Sequence, residues 1–226
     1  MQVQDILKEL QSLSNAATLK HNKKSGAHDN QYGVKLGDIR KIAANIKTNH
    51  ALALELWQTN NIDAKLLACL IIKPTALSPK EVTALVESID FVGEADWFTS
   101  YILKDYPNKD QFRESWMKSK NKWAARAGWS LMASKIAQGA EGLDLDKLLD
   151  QLEKEMPIAV PEVQWTMNYA LAYTGIHHPA YRARALALGE KLGILRDYPV
   201  SKGCTSPFAP IWINEMVKRA EQTKKK

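Results

Sequence analysis

Residues 93–138 read GEADWFTSYILKDYPNKDQFRESWMKSKNKWAARAGWSLMASKIAQ and hold four of the chain's seven tryptophans, with a carboxylate at Asp96 and a guanidinium at Arg126. A carboxylate can stabilise a developing positive charge or orient a water. Indole faces attract cations, at about 0.5–2 kcal/mol each. A guanidinium grips a phosphate through two parallel bonds. Held near one another, these groups could handle a cationic substrate. Each also has an ordinary structural reading. In a helix starting at Gly93, Glu94 and Asp96 fall in the first turn, where a carboxylate complements the dipole by about 0.3–1 kcal/mol. Arg126 alone reads as a surface ion-pair partner.

Helices must position these groups. Ala95, Phe98, Ile102 and Tyr106 form one stripe of period 3.6, and Ala125, Trp129, Met132 and Ile136 form a second. Asp96 lies off the first stripe, beside Ser100 and Leu103. Arg126 stands three residues from both Trp123 and Trp129, and the spacing predicts a shared polar face. The rest of the chain repeats this grammar. Residues 2–13 are amphipathic, 36–47 carry Ile39, Ile42 and Ile46, residues 51–58 are Leu-rich, and 64–73 are almost wholly apolar. Ser78, Pro79 and Glu81 spell a capped helix start. Further helices are expected near 144–156, from Pro161 and from Pro179 to Gly193. Trp165, Tyr169 and Tyr173 recur every fourth residue and read as core.

Residues 15–35 show no period. Lys20, Lys23, Lys24 and Lys35 could touch phosphates there, but a solvated loop is the plainer reading. Residues 194–211 (ILRDYPVSKGCTSPFAPI) form an irregular Pro-rich loop, expected to pack Tyr198, Phe208 and Trp212 against the last helices. Residues 221–226 read as a frayed basic tail.

No period-two alternation argues for a sheet. About ten helices on short linkers predict an all-α chain, a single domain over 1–226 built as an α-solenoid of stacked antiparallel hairpins. The composition is ordinary for a soluble globular protein, 45% hydrophobic and 25% charged. The longest apolar run, residues 66–72, is too short to span a bilayer, and the first ten residues lack a signal-peptide core. A cytoplasmic protein is expected, nucleoid-associated in a bacterium, acting as a monomer. The two cysteines give neither a disulfide framework nor zinc spacing, and His177–His178 has no ligand partners nearby, so no metal or cofactor is expected. A net charge of +6 and a pI near 9.1 favour a polyanionic partner, nucleic acid first.

Several segments in order carry a resemblance. YGVKLGDIRKIA is followed by LALELW, then by Asp96 six residues before Ile102, then by Trp123-x-x-Arg126, and finally by VQWTMNYALAYTG. This order resembles the HEAT-like-repeat alkylpurine DNA glycosylases, a DNA alkylation repair family with an armadillo-like superhelical fold, over most of the chain after about residue 30. The resemblance implies a hydrolase that binds alkylated duplex DNA on a concave basic face and excises N3- or N7-alkylated purines. Asp96 falls on the family's catalytic aspartate and Arg126 on its active-site arginine. Trp97, Trp123, Trp165, Tyr169, Lys122 and Lys202 are the expected lesion and DNA contacts. The chain departs from the family at Val92 and Tyr169, where the pattern has tryptophan. A non-catalytic DNA- or RNA-binding module and a protein-interaction scaffold are the alternatives.

Overall fold

The computed structural model describes residues 2–224. Every regular element among them is helical, and they gather into two compact units, Met1–Lys109 and Asp110–Lys226. No helix of the described residues is long and apolar enough to cross a membrane.

The first unit is organised around α5 (Ile62–Ile71), in which every residue but Leu70 is buried. Helices α1 (Val3–Ser12), α3 (Leu36–Ile46), α4 (His50–Gln58) and α7 (Val92–Trp97) all pack on it. A helix covered this completely has no polar face, so its sequence is an apolar run rather than a stripe. Helix α6 (Pro79–Glu87) starts as its sequence predicts. Ser78 Oγ accepts from the Glu81 N–H, and the Glu81 carboxylate accepts from the Ser78 N–H.

Residues 16–24 overturn the loop expectation. They form α2 (Ala16–Lys24), capped by the Asn15 side chain, which accepts from the Thr18 N–H. No residue of α2 is buried, so no apolar period exists to be read. Its support comes from residues 31–33. Asn22 Nδ2 donates to Gln31 Oε1 at 2.9 Å, and Gly33 approaches so closely that a Cβ there would lie 2.6 Å from Leu19 Cγ. Gly33 also has a φ of +69°, which favours glycine on backbone grounds. The buried Asp63 of α5 fixes this turn, accepting from the N–H groups of Tyr32, Gly33 and Val34 at 2.5, 3.1 and 2.8 Å.

The second unit comprises α8 (Arg113–Met117), α9 (Lys122–Ala137), α10 (Leu145–Glu155), α11 (Pro161–His177), α12 (Arg182–Leu192) and α13 (Ala209–Lys224). Its core joins the Ala125, Trp129, Met132 and Ile136 stripe of α9 to Met167, Ala170 and Leu171 of α11 and Leu149 and Leu152 of α10. Gly128 lets α8 approach α9, because a Cβ there would lie 2.4 Å from the Met117 nitrogen and 2.8 Å from the Trp116 carbonyl carbon. Those are backbone atoms and cannot swing away. Gly128→Ala should therefore lower stability by about 1–3 kcal/mol, the overpacking range, although the same change in an open helix would gain about 1 kcal/mol. Denaturant unfolding reads the sign directly.

Between α12 and α13 the irregular segment is largely exposed and is anchored at a few points. Tyr198 lies 5.2 Å from the Trp165 ring, Asn168 Nδ2 donates to the Pro207 carbonyl at 2.8 Å, and the Arg196 guanidinium stands 4.5 Å over buried Phe208. Helix α13 begins at Ala209 and runs to Lys224, so residues 221–224 continue it instead of fraying. Lys225 and Lys226, the rest of that expected tail, lie outside the described residues.

Candidate functional site

In the first unit, Asp96 is the fifth residue of α7, and immediately beyond Trp97 the helix widens into a π-helical segment, Phe98–Leu103. The stripe Ala95, Phe98, Ile102 and Tyr106 is buried, which turns Asp96 outward. Glu94, not Asp96, occupies the first turn. Dipole complementation, which fades within one turn, is therefore not the role of Asp96. Single-turn π distortions recur at functional sites because they re-aim side chains on one helix face. A clasp holds this one. The Arg40 guanidinium lies 4.9 Å over the Trp97 ring and donates to the Tyr101 hydroxyl at 3.3 Å, while Trp97 and Tyr101 are 5.2 Å apart. Arg40 belongs to the YGVKLGDIRKIA segment on α3. Its part was missed in the sequence, and a cation three residues after Gly37 was the only signal.

Trp97 is only 8% exposed and Trp123 only 4%. The first is covered by Arg40, and Lys122 Nζ stands 4.8 Å over the second. Both indoles are thus largely covered in this structure, each with a cation over its ring.

In the second unit, the polar face expected around Arg126 is not polar. Arg126, Trp123 and Trp129 are all buried at the start of α9. Arg126 Nη1 donates to the Glu162 carbonyl at 2.9 Å, tying α9 to the first turn of α11. Lys122 pairs with the Glu162 carboxylate. Partial burial opposes ionisation of Glu162, but the Lys122 hydrogen bond and charge outweigh it and hold the carboxyl below its ordinary range.

Trp165, Tyr169 and Tyr173 are half-buried, not core as the four-residue spacing suggests. They form a ring ladder along α11. Trp165–Tyr169, Tyr169–Tyr173 and Tyr173–His177 centroids are 6.0, 6.1 and 5.4 Å apart, and Trp212 of α13 sets its edge 4.9 Å from Tyr169. Rings contacting one another satisfy part of their apolar surface without full burial. Lys202 is exposed in the irregular segment.

One constellation escaped the sequence reading. Lys65, nearly fully buried in α5, places its ammonium 3.2 Å from Glu94 Oε2, 3.7 Å from Asp90 Oδ2 and 3.0 Å from the Ser88 carbonyl. His28 Nε2 lies 3.1 Å from Asp90 Oδ1. Burial pushes the Glu94 carboxyl up to about 7, despite the opposing charge of Lys65, and Asp90 adds to the rise. His28, Asp90 and Glu94 stand close enough to share a cation, yet the cation that Asp90 and Glu94 face is Lys65 itself. The Asn30 N–H donates to His28 Nδ1 at 3.1 Å. The cluster is an internal ion network. A lone lysine inside IDAKLLACLI was the available sign.

A family model described as DNA alkylation repair enzyme matches residues 6–198. Two uncharacterized Listeria proteins are similar over nearly their whole length. Lmo0209 of Listeria monocytogenes is 25% identical over 96% of both chains, and Lin0241 of Listeria innocua is 25% identical over 92% of this chain and 93% of its own. Among solved structures, a protein from a new family related to the HEAT-like repeat DNA glycosylases, with affinity for branched DNA, superposes with a TM-score of 0.78. It is 23% identical, covering 97% of this chain and 95% of its own. At that identity the likeness establishes the HEAT-like repeat fold.

Proposed function

The chain belongs to the DNA alkylation repair enzyme family, and we propose that it binds duplex DNA and releases positively charged N3- or N7-alkylated purines by hydrolysing the N-glycosidic bond. The observation that carries this reading is the outward-facing carboxylate of Asp96, set where α7 passes into a π segment and braced from beneath by the Arg40–Trp97–Tyr101 clasp. Alkylation at N3 or N7 makes the base cationic and weakens its glycosidic bond. The protein then needs little beyond a carboxylate that stabilises the oxocarbenium-like sugar and orients water. Arg126 serves as a positioning residue at the start of α9 rather than as an open phosphate clamp, since its guanidinium is buried and engaged by Glu162. Half-exposed Trp165 and Tyr169 and the exposed Lys202 are the DNA contacts of the second unit. The protein acts as a monomer in this reading.

A second reading, binding without excision, is favoured by Val92 and Tyr169 standing where the family pattern has tryptophan. The affinity of the solved neighbour for branched DNA points the same way. The deciding experiment measures free methylated purine released from alkylated duplex DNA by the wild type and by Asp96→Asn. Release that depends on Asp96 supports excision. Salt-sensitive binding of intact and branched duplexes with no release by either form leaves the binding reading.

A further inference from the structure

Helix α2 is a folded element with little return to the fold. It buries no residue, and its exposed Lys20, Lys23 and Lys24 fall at i, i+3 and i+4, a spacing that stacks like charges on one face. Residues 15–35 contain a single acidic side chain, Asp29, which pairs with Lys23 at 2.6 Å. The helix is nonetheless firmly seated. Asn15 caps it, Asn22 is tied to Gln31, Leu19 packs under Gly33, and Asp63 clamps the turn carrying Tyr32 and Gly33. Leu19, Lys20, Lys23, Lys24, Asp29 and Gln31 line a shallow groove on this surface. A cationic face that repels itself, yet is rigidly mounted, is explained by an anionic partner.

We propose that the face of α2 bearing Lys20, Lys23 and Lys24 docks on the sugar–phosphate backbone of duplex DNA, apart from the residues proposed to release the base. This rests on the DNA-binding reading above. A protein partner would want an exposed aromatic or aliphatic anchor, and α2 presents only Ala16 and Ala17 fully exposed among its apolar residues. Phosphate contact needs charge alone and carries no sequence preference. Lys20 and Lys24 are one helical turn apart, about 6 Å along the axis, so both can engage one stretch of backbone.

The test compares wild type with the double variant Lys20→Gln/Lys24→Gln, measuring affinity for an unmodified labelled duplex across a salt series. Removing two phosphate contacts should make the logarithmic salt slope shallower by about 1.8, so the affinity gap narrows by about tenfold between about 50 and 200 mM salt. The melting temperature should not fall, because the change relieves like-charge repulsion. A variant with the wild-type slope and affinity overturns the docking surface while leaving DNA binding intact. A wild type that binds no duplex overturns both. A lowered melting temperature accompanying the weaker binding would mean damage to the fold and would also overturn the assignment.

Discussion

Asp96→Asn is expected to slow base release at saturating alkylated duplex by about 10²–10³-fold, the loss of roughly 2.7–4 kcal/mol that follows removal of one preorganised electrostatic group. Asparagine keeps the size and shape of the side chain and removes its negative charge, so the change reports on charge alone. The fold should tolerate it. Asp96 is exposed, and its buried neighbours Ala95 and Trp97 hold the helix through their own packing. An exposed carboxylate and its partner contribute about 0–1 kcal/mol, so the unfolding midpoint should move little. Asp105→Asn supplies the control, since Asp105 is exposed beyond the π segment, and it should release base at the wild-type rate. Equal rates for wild type and Asp96→Asn would remove Asp96 from the chemistry. Asp96→Glu discriminates further: the charge is retained but displaced by a methylene, and a partial loss is expected if placement by the clasp matters.

That placement was only half legible in the sequence. The apolar stripe Ala95–Phe98–Ile102–Tyr106 follows from period alone and correctly turns Asp96 outward. The widening at Phe98 does not, because a π segment arises from how the surrounding helices seat Phe98, Ile102 and Leu103, not from a local propensity. The same limit explains Trp97 and Trp123. Helical angle says which residues share a face, but not what covers an indole on it: for Trp123 the neighbouring Lys122, for Trp97 a cation arriving from another helix. Arg40 comes from α3, nearly sixty residues earlier in the chain. Helix α2 was illegible for a different reason. Its stability comes from a cap, from Gln31 and from Gly33, so the hydrophobic pattern on which the reading depends is missing. The fold class survived all of this, since it needs only the absence of alternation and the presence of caps such as Ser78–Glu81.

Lys65→Met should give the largest loss of stability, about 3–5 kcal/mol near pH 8, because the buried Glu94 carboxyl must then either bind a proton or stand unpaired, and the Ser88 carbonyl loses its donor. The loss should shrink as pH falls. In the wild type the Glu94 carboxyl already sits at about 7, above its ordinary 4.5, because burial outweighs Lys65. An acid raised on folding binds its proton more tightly in the folded state. Its contribution is therefore most favourable below the unfolded value and declines as pH rises through the interval from about 4.5 to 7, on the order of 3 kcal/mol in total. Without Lys65 the carboxyl rises further and stays neutral over more of the range. Near pH 5 Glu94 is protonated with or without the lysine, so the variant forfeits mainly the Ser88 carbonyl bond and the weaker Asp90 contact, while methionine fills much of the same volume. Denaturant unfolding of both proteins from pH 5 to pH 8 should show the two stability curves converging on the acid side. Parallel curves would mean that Lys65 acts through packing against Trp57, 5.8 Å away, and not through charge. Adding Glu94→Leu to Lys65→Met should then recover most of the loss near pH 8, since removing both charges also removes the unpaired one. Because Glu94 and Asp96 share the same short helix, base release by the double variant also tests whether this network matters to the site or only to the fold. Release at the wild-type rate by a restored, charge-free core would confine its role to stability.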